Sequence, residues 1–286
     1  MNVDVNTQLA SLFKAACLSE LEALKPGNVH IFADGHGMTV EHFIASAEAA
    51  SAVIALPDLT VGERILGAVK ATQNAVGLNT NLGIILLCAP LIHAILNRQH
   101  TDFLDDLKQT LQDLTIEDAA LTFEAIRLAS PAGLGEVATH DVHQPVDCTL
   151  LAAMQIAAVR DKVAYQYANN YQDIFTFGLP RYQQYLKLWQ RPAWATTAVY
   201  LGFMAHFADS HIIRKHGEIA ADLVQNLAKE HEAIYLQTYN PKNYLAPLVR
   251  FDTDLKSQHL NPGTSADLTV CTLLSEQLII VYNSLS

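Results

Sequence analysis

The stretch TQLASLFKAACLSELEAL (residues 7–24) carries the repeat that decides the fold class. Its apolar residues recur at spacings of three and four, which places Leu9, Leu12, Phe13, Ala16 and Leu24 on one stripe of an α-helix. The same period returns in residues 39–56, 61–76, 81–97, 102–113, 117–129, 146–168, 193–208, 218–237 and 264–283. Convincing alternation of the strand type is absent from the sequence. We therefore predict an all-α fold.

Glycine and proline punctuate the sequence between these periodic stretches. They occur at Pro26-Gly27, Gly77, 131–135 and Pro262-Gly263, where they mark turns or helix starts. The β-branched run LIIVY (278–282) continues the last helical pattern. Because no linker, low-complexity run or clear internal repeat divides the sequence, we expect a single compact multi-helix domain spanning residues 1–286.

Composition and charge exclude several classes of partner. Half of the 286 residues are hydrophobic, and 29 acidic residues against 18 basic ones give a formal net charge of −11. This charge argues against general binding to nucleic acid or to an anionic membrane. The longest apolar run, residues 83–96, is too short to span a bilayer, and the N-terminus lacks the pattern of a signal peptide. We therefore expect a soluble, cytoplasmic protein.

Two polar connectors have the composition of ligand-binding turns. In KPGNVHIFADGHGM (25–38), Lys25, Pro26 and Gly27 suit the end of a helix, but Asn28 and His36 exceed what a turn requires. In GLNTNLG (77–83), the residues Asn79, Thr80, Asn81 and Gly83 form a turn that opens a helix. Such a turn offers backbone N–H groups to an anion, although an ordinary capped turn has the same composition. It is not a Walker loop, because no lysine follows the last glycine.

Three later connectors add carboxylates, histidines and cations. SPAGLGEVATHDV (130–142) carries Glu136, His140 and Asp141, which suit either Mg²⁺ coordination or proton transfer, or simply a solvated loop. Glycine and polar or charged residues are likewise combined in HFADSHIIRKHGE (206–218) and NPGTSADL (261–268). Their residues of interest are Asp209, Arg214, Lys215, Gly217, Gly263, Ser265 and Asp267.

Taken in this order, the five segments resemble those of the triphosphoribosyl-dephospho-CoA synthase family. The matching pieces are KPGNV with GHGM, then NTNLG, AGLGE, DSHIIRKHG and NPGTSADL. The resemblance implies a single all-helical domain that uses ATP and 3'-dephospho-CoA. In the implied reaction, a ribose 2'-hydroxyl attacks C1' of the ATP ribose, adenine leaves, and the triphosphate stays on the transferred ribose.

The resemblance and the chemistry of this reaction together give a set of expected site residues. The expected catalytic residues are His36, Glu136, His140 and Asp141. The expected nucleotide-binding residues are Lys25, Pro26, Gly27, Asn28, Asn79, Thr80, Asn81, Gly83, Arg214, Lys215, Gly217, Gly263 and Ser265. Because an acidic protein must neutralise a triphosphate, we expect Mg²⁺ or Mn²⁺ held by Glu20, Asp209 and Asp267. The expected partners are small-molecule nucleotides, and we expect a homodimer.

The sequence departs from the family pattern at three positions. Asn81 and Leu82 stand where the family has His and Lys, and Gly37 follows His36 where it has Asp. These departures keep a different acceptor open, including one from pterin-type one-carbon cofactor biosynthesis. A nucleotide or ribosyl hydrolase on the same scaffold and a non-catalytic helical binding protein are further alternatives. The binding protein predicts that the polar connectors scatter over the surface.

Overall fold

The structure, a computed structural model, describes residues 4–129 and 146–285. In these ranges it contains fourteen α-helices and no β-strand, so the all-α prediction is confirmed. The helices are α1 (Val5–Leu21), α2 (Val40–Ile54), α3 (Val61–Val76), α4 (Leu82–Leu96), α5 (Phe103–Gln112), α6 (Ile116–Ala129), α7 (Leu150–Ala157), α8 (Lys162–Ala168), α9 (Leu179–Trp189), α10 (Pro192–His206), α11 (Ser210–His216), α12 (Glu218–Gln237), α13 (Leu245–Ser257) and α14 (Gly263–Ser284). A π-helical turn, Asp173–Gly178, and a 3-10 turn, Pro241–Tyr244, complete the regular structure of the described residues.

The periodic stretches mark most of these helices to within a few residues. The stretch 146–168 is the exception, because it forms two helices that are separated at Arg160 and Asp161. The Asp161 carboxylate accepts hydrogen bonds from the amides of Val163 and Ala164, at 2.8 and 3.0 Å, and so starts a new helix there. Helices α9, α11 and α13 lie outside the predicted stretches.

The centre of the fold is built from α4 and α14. Helix α4 is buried along nearly its whole length despite Pro90, which cannot donate to the carbonyl four residues earlier. That carbonyl belongs to Leu86, and it accepts a hydrogen bond from the Tyr167 hydroxyl at 2.6 Å. The Tyr171 hydroxyl donates to the next carbonyl, that of Leu87, at 2.9 Å. Two buried tyrosines therefore allow a proline in the middle of the core helix.

Helix α14 packs on α1, α4 and α10. Within the described ranges it is the one helix long and apolar enough to cross a membrane by length and composition, but 72% of its most apolar window is buried inside the protein. It is therefore explained as a core helix. Both α4 and α14 begin on the same side of the molecule, and the candidate site lies at these two starting points.

Candidate active site

A cavity of about 540 Å³ lies at the first turns of α4 and α14. Four of the five polar segments contribute to its wall: 25–38, 77–83, 206–218 and 261–268. The fifth segment, with the expected residues Glu136, His140 and Asp141, lies outside the described residues. The expected residues that line the cavity are Glu20, Asn28, His36, Asn79, Thr80, Asn81, Gly83, Arg214, Lys215, Gly263 and Asp267. The four described polar connectors therefore converge rather than scatter.

The floor of the cavity contains a chain of buried polar groups. Lys25 is fully buried, and its ammonium group donates to the Glu20 carboxylate and, at 3.0 Å, to Oδ1 of Asn28. Asn28 in turn donates from Nδ2 to Oδ1 of Asn261 at 2.8 Å. Burial raises the pKa of Glu20 and lowers the pKa of Lys25, while the attraction between the two groups opposes both shifts. Lys25 does not line the cavity; it holds Glu20 and Asn28, which do.

The loop after α1 is fastened from behind by α13. The amide of Gly27 donates to Oδ1 of Asp252 at 2.8 Å, and Lys256 donates to the carbonyl of Ala33 at 3.1 Å. Gly27 has φ of 83°, and a Cβ at this position would lie 2.8 Å from Cδ of Pro262. Glycine is therefore required both by its conformation and by the close approach of the loop before α14.

His36 is the histidine of this loop that lines the cavity. Its Nε2 donates to the carbonyl of Gly27 at 2.8 Å, which leaves Nδ1 as the free acceptor of the neutral ring. Burial lowers its pKa, so the ring is neutral at pH 7. His36 also has φ of 56°, a left-handed conformation that is uncommon outside glycine and concentrates at functional sites.

The first turns of α4 and α14 present backbone N–H groups to the cavity. The side chains of the two N-cap residues, Asn81 and Pro262, accept no hydrogen bond from their own helix, although Asn79 accepts from the amide of Leu82 and Asp209 from that of Ser265. The turn before α4 is held in place by the Thr80 hydroxyl, which donates to Oγ of Ser46 at 2.6 Å. Two helix N-termini that open on one cavity form an environment suited to phosphate groups.

The two aspartates near these helix starts have different surroundings. The Asp209 carboxylate caps α11 by accepting from the amides of His211 and Ile212, and it also accepts from the amide and hydroxyl of Ser265, both at 2.8 Å. Asp267 lines the cavity, and no hydrogen bond or ion pair to its carboxylate is found among the described residues. Burial raises the pKa of Asp267 well above its usual range, and the nearby Asp209 and Glu20 add to this effect.

The different hydrogen bonding of Asp209 and Asp267 bears on which of the expected residues could hold a metal ion. Within the described ranges, no group of three or more His, Cys, Asp or Glu side chains is arranged to hold a metal ion. Glu20 is paired with Lys25, and the lone pairs of Asp209 are engaged by four donors. Asp267 is the expected ligand whose carboxylate has no partner among the described residues. Since Mg²⁺ is commonly held by one or two carboxylates together with substrate phosphates, a single free carboxylate fits such an ion.

The cationic side of the cavity comes from α11. Arg214 donates to Oδ2 of Asp161 at 2.6 Å, while Lys215 follows it on the wall of the cavity. His211 lies on the same wall, and its buried Nε2 has no hydrogen-bond partner. Burial lowers the pKa of His211 to about 3, helped by the positive charges of Arg214 and Lys215. The imidazole is therefore neutral under ordinary conditions.

Besides Lys25, four expected binding residues lie outside the cavity wall and support it. The carbonyl of Pro26 accepts from the Tyr200 hydroxyl at 2.8 Å, and Gly27 is the packed glycine described above. Gly217, with φ of 85°, ends α11, and Ser265 holds Asp209. Their contribution is to position neighbouring segments.

A large part of the wall has no counterpart in the sequence predictions. It consists of Phe123 and Ile126 from α6, Met154, Ile156 and Ala157 from α7, and Val163 from α8. We call these six residues the apolar wall. Their spacing is that of any core-facing helical residue, so periodicity alone does not distinguish them. Arg160 and Asp161, which stand between α7 and α8, were also missed.

Comparisons with known proteins agree with the resemblance found in the sequence. A family model described as ATP:dephospho-CoA triphosphoribosyl transferase matches residues 6–284. A crystal structure from Archaeoglobus fulgidus, of a protein provisionally named triphosphoribosyl-dephospho-CoA synthase, superposes with a TM-score of 0.60 at 21% identity. The match covers 85% of this chain and 98% of that one, and at this identity it supports the fold alone. No protein with a curated description matches the chain.

Proposed function

The chain belongs to the ATP:dephospho-CoA triphosphoribosyl transferase family, and on that premise we propose how its cavity carries out the transfer. The observation that carries this proposal is the meeting of two helix N-termini, two cationic side chains and one free carboxylate in a single cavity. We assign the triphosphate of ATP to the first turns of α4 and α14, with Arg214 and Lys215 supplying positive charge. A single catalytic domain over residues 1–286 and a cytoplasmic location belong to the same proposal.

The bond that breaks is the one between C1' of the ATP ribose and the ring nitrogen of adenine. Its electron pair leaves with adenine, and the 2'-hydroxyl oxygen of dephospho-CoA forms the new bond to C1'. The hydroxyl loses one proton and the departing adenine gains one, so the reaction is balanced without another reactant. All three phosphates remain on the transferred ribose.

His36 is the described residue best suited to accept the hydroxyl proton. Its ring is neutral at pH 7, and the hydrogen bond from Nε2 to the carbonyl of Gly27 fixes Nδ1 as the acceptor. The negative charge of Glu20, at the cavity floor, stabilises the positive charge that develops on the ribose as adenine departs. Lys25 and Asn28 position this carboxylate and its surroundings.

Magnesium fits this arrangement through Asp267. When bound, the ion would neutralise part of the triphosphate charge and hold the triphosphate in one orientation. Asp267 would hold it together with the substrate phosphates. Arg214, Lys215 and the helix N-termini still bind the remaining phosphate charge.

Chromatography of a reaction containing ATP, Mg²⁺ and dephospho-CoA tests the proposal. We expect free adenine together with a CoA species heavier by one triphosphoribosyl group. Adenine without the heavier species would mean that water or another molecule is the acceptor, as in the hydrolase and one-carbon alternatives. ADP or phosphate as the new product would refute the proposal, because the bond broken would then be at phosphorus. The absence of any reaction would favour a binding protein.

A further inference from the structure

The apolar wall is not needed for the chemistry proposed above. Adenine departure, hydroxyl activation and triphosphate binding all use the polar groups of α1, the loop that follows it, α4, α11 and α14. The apolar wall instead comes from α6, α7 and α8, which pack against one another in chain order. A protein without a ligand for this surface would have little reason to face six apolar residues into this cavity.

The apolar wall is also partly open to solvent. Met154 and Phe123 are buried, but Ile156 at the end of α7 has 40% of its surface exposed. A flexible ligand with both methylene and amide groups suits such a surface, because its apolar atoms are covered while its amides stay hydrated. A departing adenine suits it less, because its ring nitrogens need donors and acceptors that the apolar wall does not offer.

Arg160, whose guanidinium has no partner among the described residues, stands at the edge of the apolar wall. Arg160 lines the cavity, and no hydrogen bond or ion pair to its guanidinium is found in the described part of the chain. The neighbouring Asp161 is engaged by Val163, Ala164 and Arg214, so it does not neutralise Arg160. A guanidinium beside an apolar surface matches a phosphate linked to an apolar chain.

We propose that the apolar wall binds the pantetheine arm of dephospho-CoA, with Arg160 contacting the diphosphate that joins this arm to adenosine. This inference rests on the proposed function and adds the determinant of acceptor specificity. In this arrangement ATP occupies the helix N-termini, and the acceptor enters along α7 with its adenosine toward the polar half of the cavity. Asp161 links the two halves, since it caps α8 and binds Arg214.

The test compares dephospho-CoA with ADP, which ends at the diphosphate and lacks the arm. Binding of each is measured by calorimetry, and adenine release from ATP is measured with each as acceptor. We expect dephospho-CoA to bind at least tenfold more tightly than ADP. Ile156→Asp should remove most of this preference by weakening dephospho-CoA alone. Because Ile156 is substantially exposed, this substitution should leave folding intact.

Two further variants make the result specific. Arg160→Gln should weaken dephospho-CoA and ADP by a similar factor of about tenfold, since both carry the diphosphate. Gln155→Asp, on the same helix but outside the cavity wall, is the matched control and should change neither.

Three results would overturn the inference. One is a wild-type protein that releases adenine but binds dephospho-CoA no better than ADP, which leaves the proposed function standing. Another is an Ile156→Asp variant whose KM rises for ATP and not for the acceptor, which would place the ATP base on the apolar wall. A wild-type protein that neither binds nor converts dephospho-CoA would refute both the inference and the proposed function.

Discussion

The carboxylate of Asp267 lies directly against the α-carbon of Gly83. A Cβ added at Gly83 would lie 2.6 Å from Cγ of Asp267, which is far inside van der Waals contact. Gly83 is the second residue of α4 and Asp267 is in the second turn of α14. The close approach of the two helices, and the position of the free carboxylate in the cavity, therefore depend on the absence of a side chain at residue 83.

We predict that Gly83→Ala reduces kcat/KM for adenine release at least tenfold. The added methyl group must displace Asp267 from the position where it faces the triphosphate. In an unhindered helix the same substitution would raise the free energy of unfolding by up to about 1 kcal/mol, so thermal melting shows whether the clash cancels this gain. In an Asp267→Ala background the clash is gone, and Gly83→Ala should then raise the melting temperature. A stabilising, fully active Gly83→Ala single variant would contradict the observed contact.

The fold was predictable because its determinant is local. Residues 7–24 and 264–283 show their apolar stripes in the sequence itself, and α1 and α14 follow them. The division of α7 from α8 was missed because it depends on Asp161, whose capping role interrupts an apolar pattern that otherwise continues. Short helices such as α11 hold too few residues to show a period.

The site was only partly predictable, for a related reason. Polar connectors stand out because glycine, asparagine and histidine are more frequent there than turns require, and Asn28 and His36, which were predicted in this way, line the cavity. Asp252 could not be found, since its contact with Gly27 joins residues 225 positions apart. The sequence also cannot distinguish a carboxylate that caps a helix, as Asp209 does, from one that is free, as Asp267 is.

We predict opposite stability effects from neutralising these two aspartates. Asp209→Asn places an amide nitrogen, which cannot accept, where donors from Ser265 and α11 now converge. The free energy of unfolding should fall by about 2 kcal/mol. Asp267→Asn replaces a partly buried carboxylate that has no hydrogen-bond or ion-pair partner among the described residues, and it should leave that free energy unchanged or raise it. Urea denaturation of both variants, with circular dichroism as the probe, measures the two effects.

The same pair of variants separates a structural carboxylate from one that acts on ligands. Asp267→Asn should raise the Mg²⁺ concentration for half-maximal activity at least tenfold. An unchanged Mg²⁺ requirement in this variant, or full turnover in excess EDTA, would show that Asp267 holds no divalent cation. Asp209→Asn should show a Mg²⁺ requirement close to that of the wild type in whatever folded fraction remains.

We predict that Lys25→Met is one of the most destabilising single substitutions in the site. It leaves the Glu20 carboxylate buried without its cation and removes the anchor of Asn28, which should cost about 3–5 kcal/mol. The double variant Glu20→Met/Lys25→Met should recover most of this loss but remain inactive, because Glu20 lines the cavity. Lys70→Met is the matched control, since Lys70 pairs with Glu124 at 2.8 Å on the surface. Its effect should stay below about 1 kcal/mol.

The final prediction concerns acid stability and His211. Because burial holds the pKa of His211 at about 3, near Arg214, Lys215, His36 and His216, the folded protein keeps this ring neutral between pH 6.5 and 3. The unfolded chain takes up a proton there near its ordinary pKa of about 6.5, so it binds more protons than the folded state. The contribution of His211 to stability is therefore lost progressively as the pH falls below about 6.5.

In His211→Gln, the slope of the free energy of unfolding against pH, between pH 5 and 6, should be shallower by up to about 1.4 kcal/mol per pH unit. Urea denaturation at pH 5.0, 5.5, 6.0 and 7.5 measures the two slopes, and identical slopes in the variant and the wild type would show that His211 titrates normally in the folded protein.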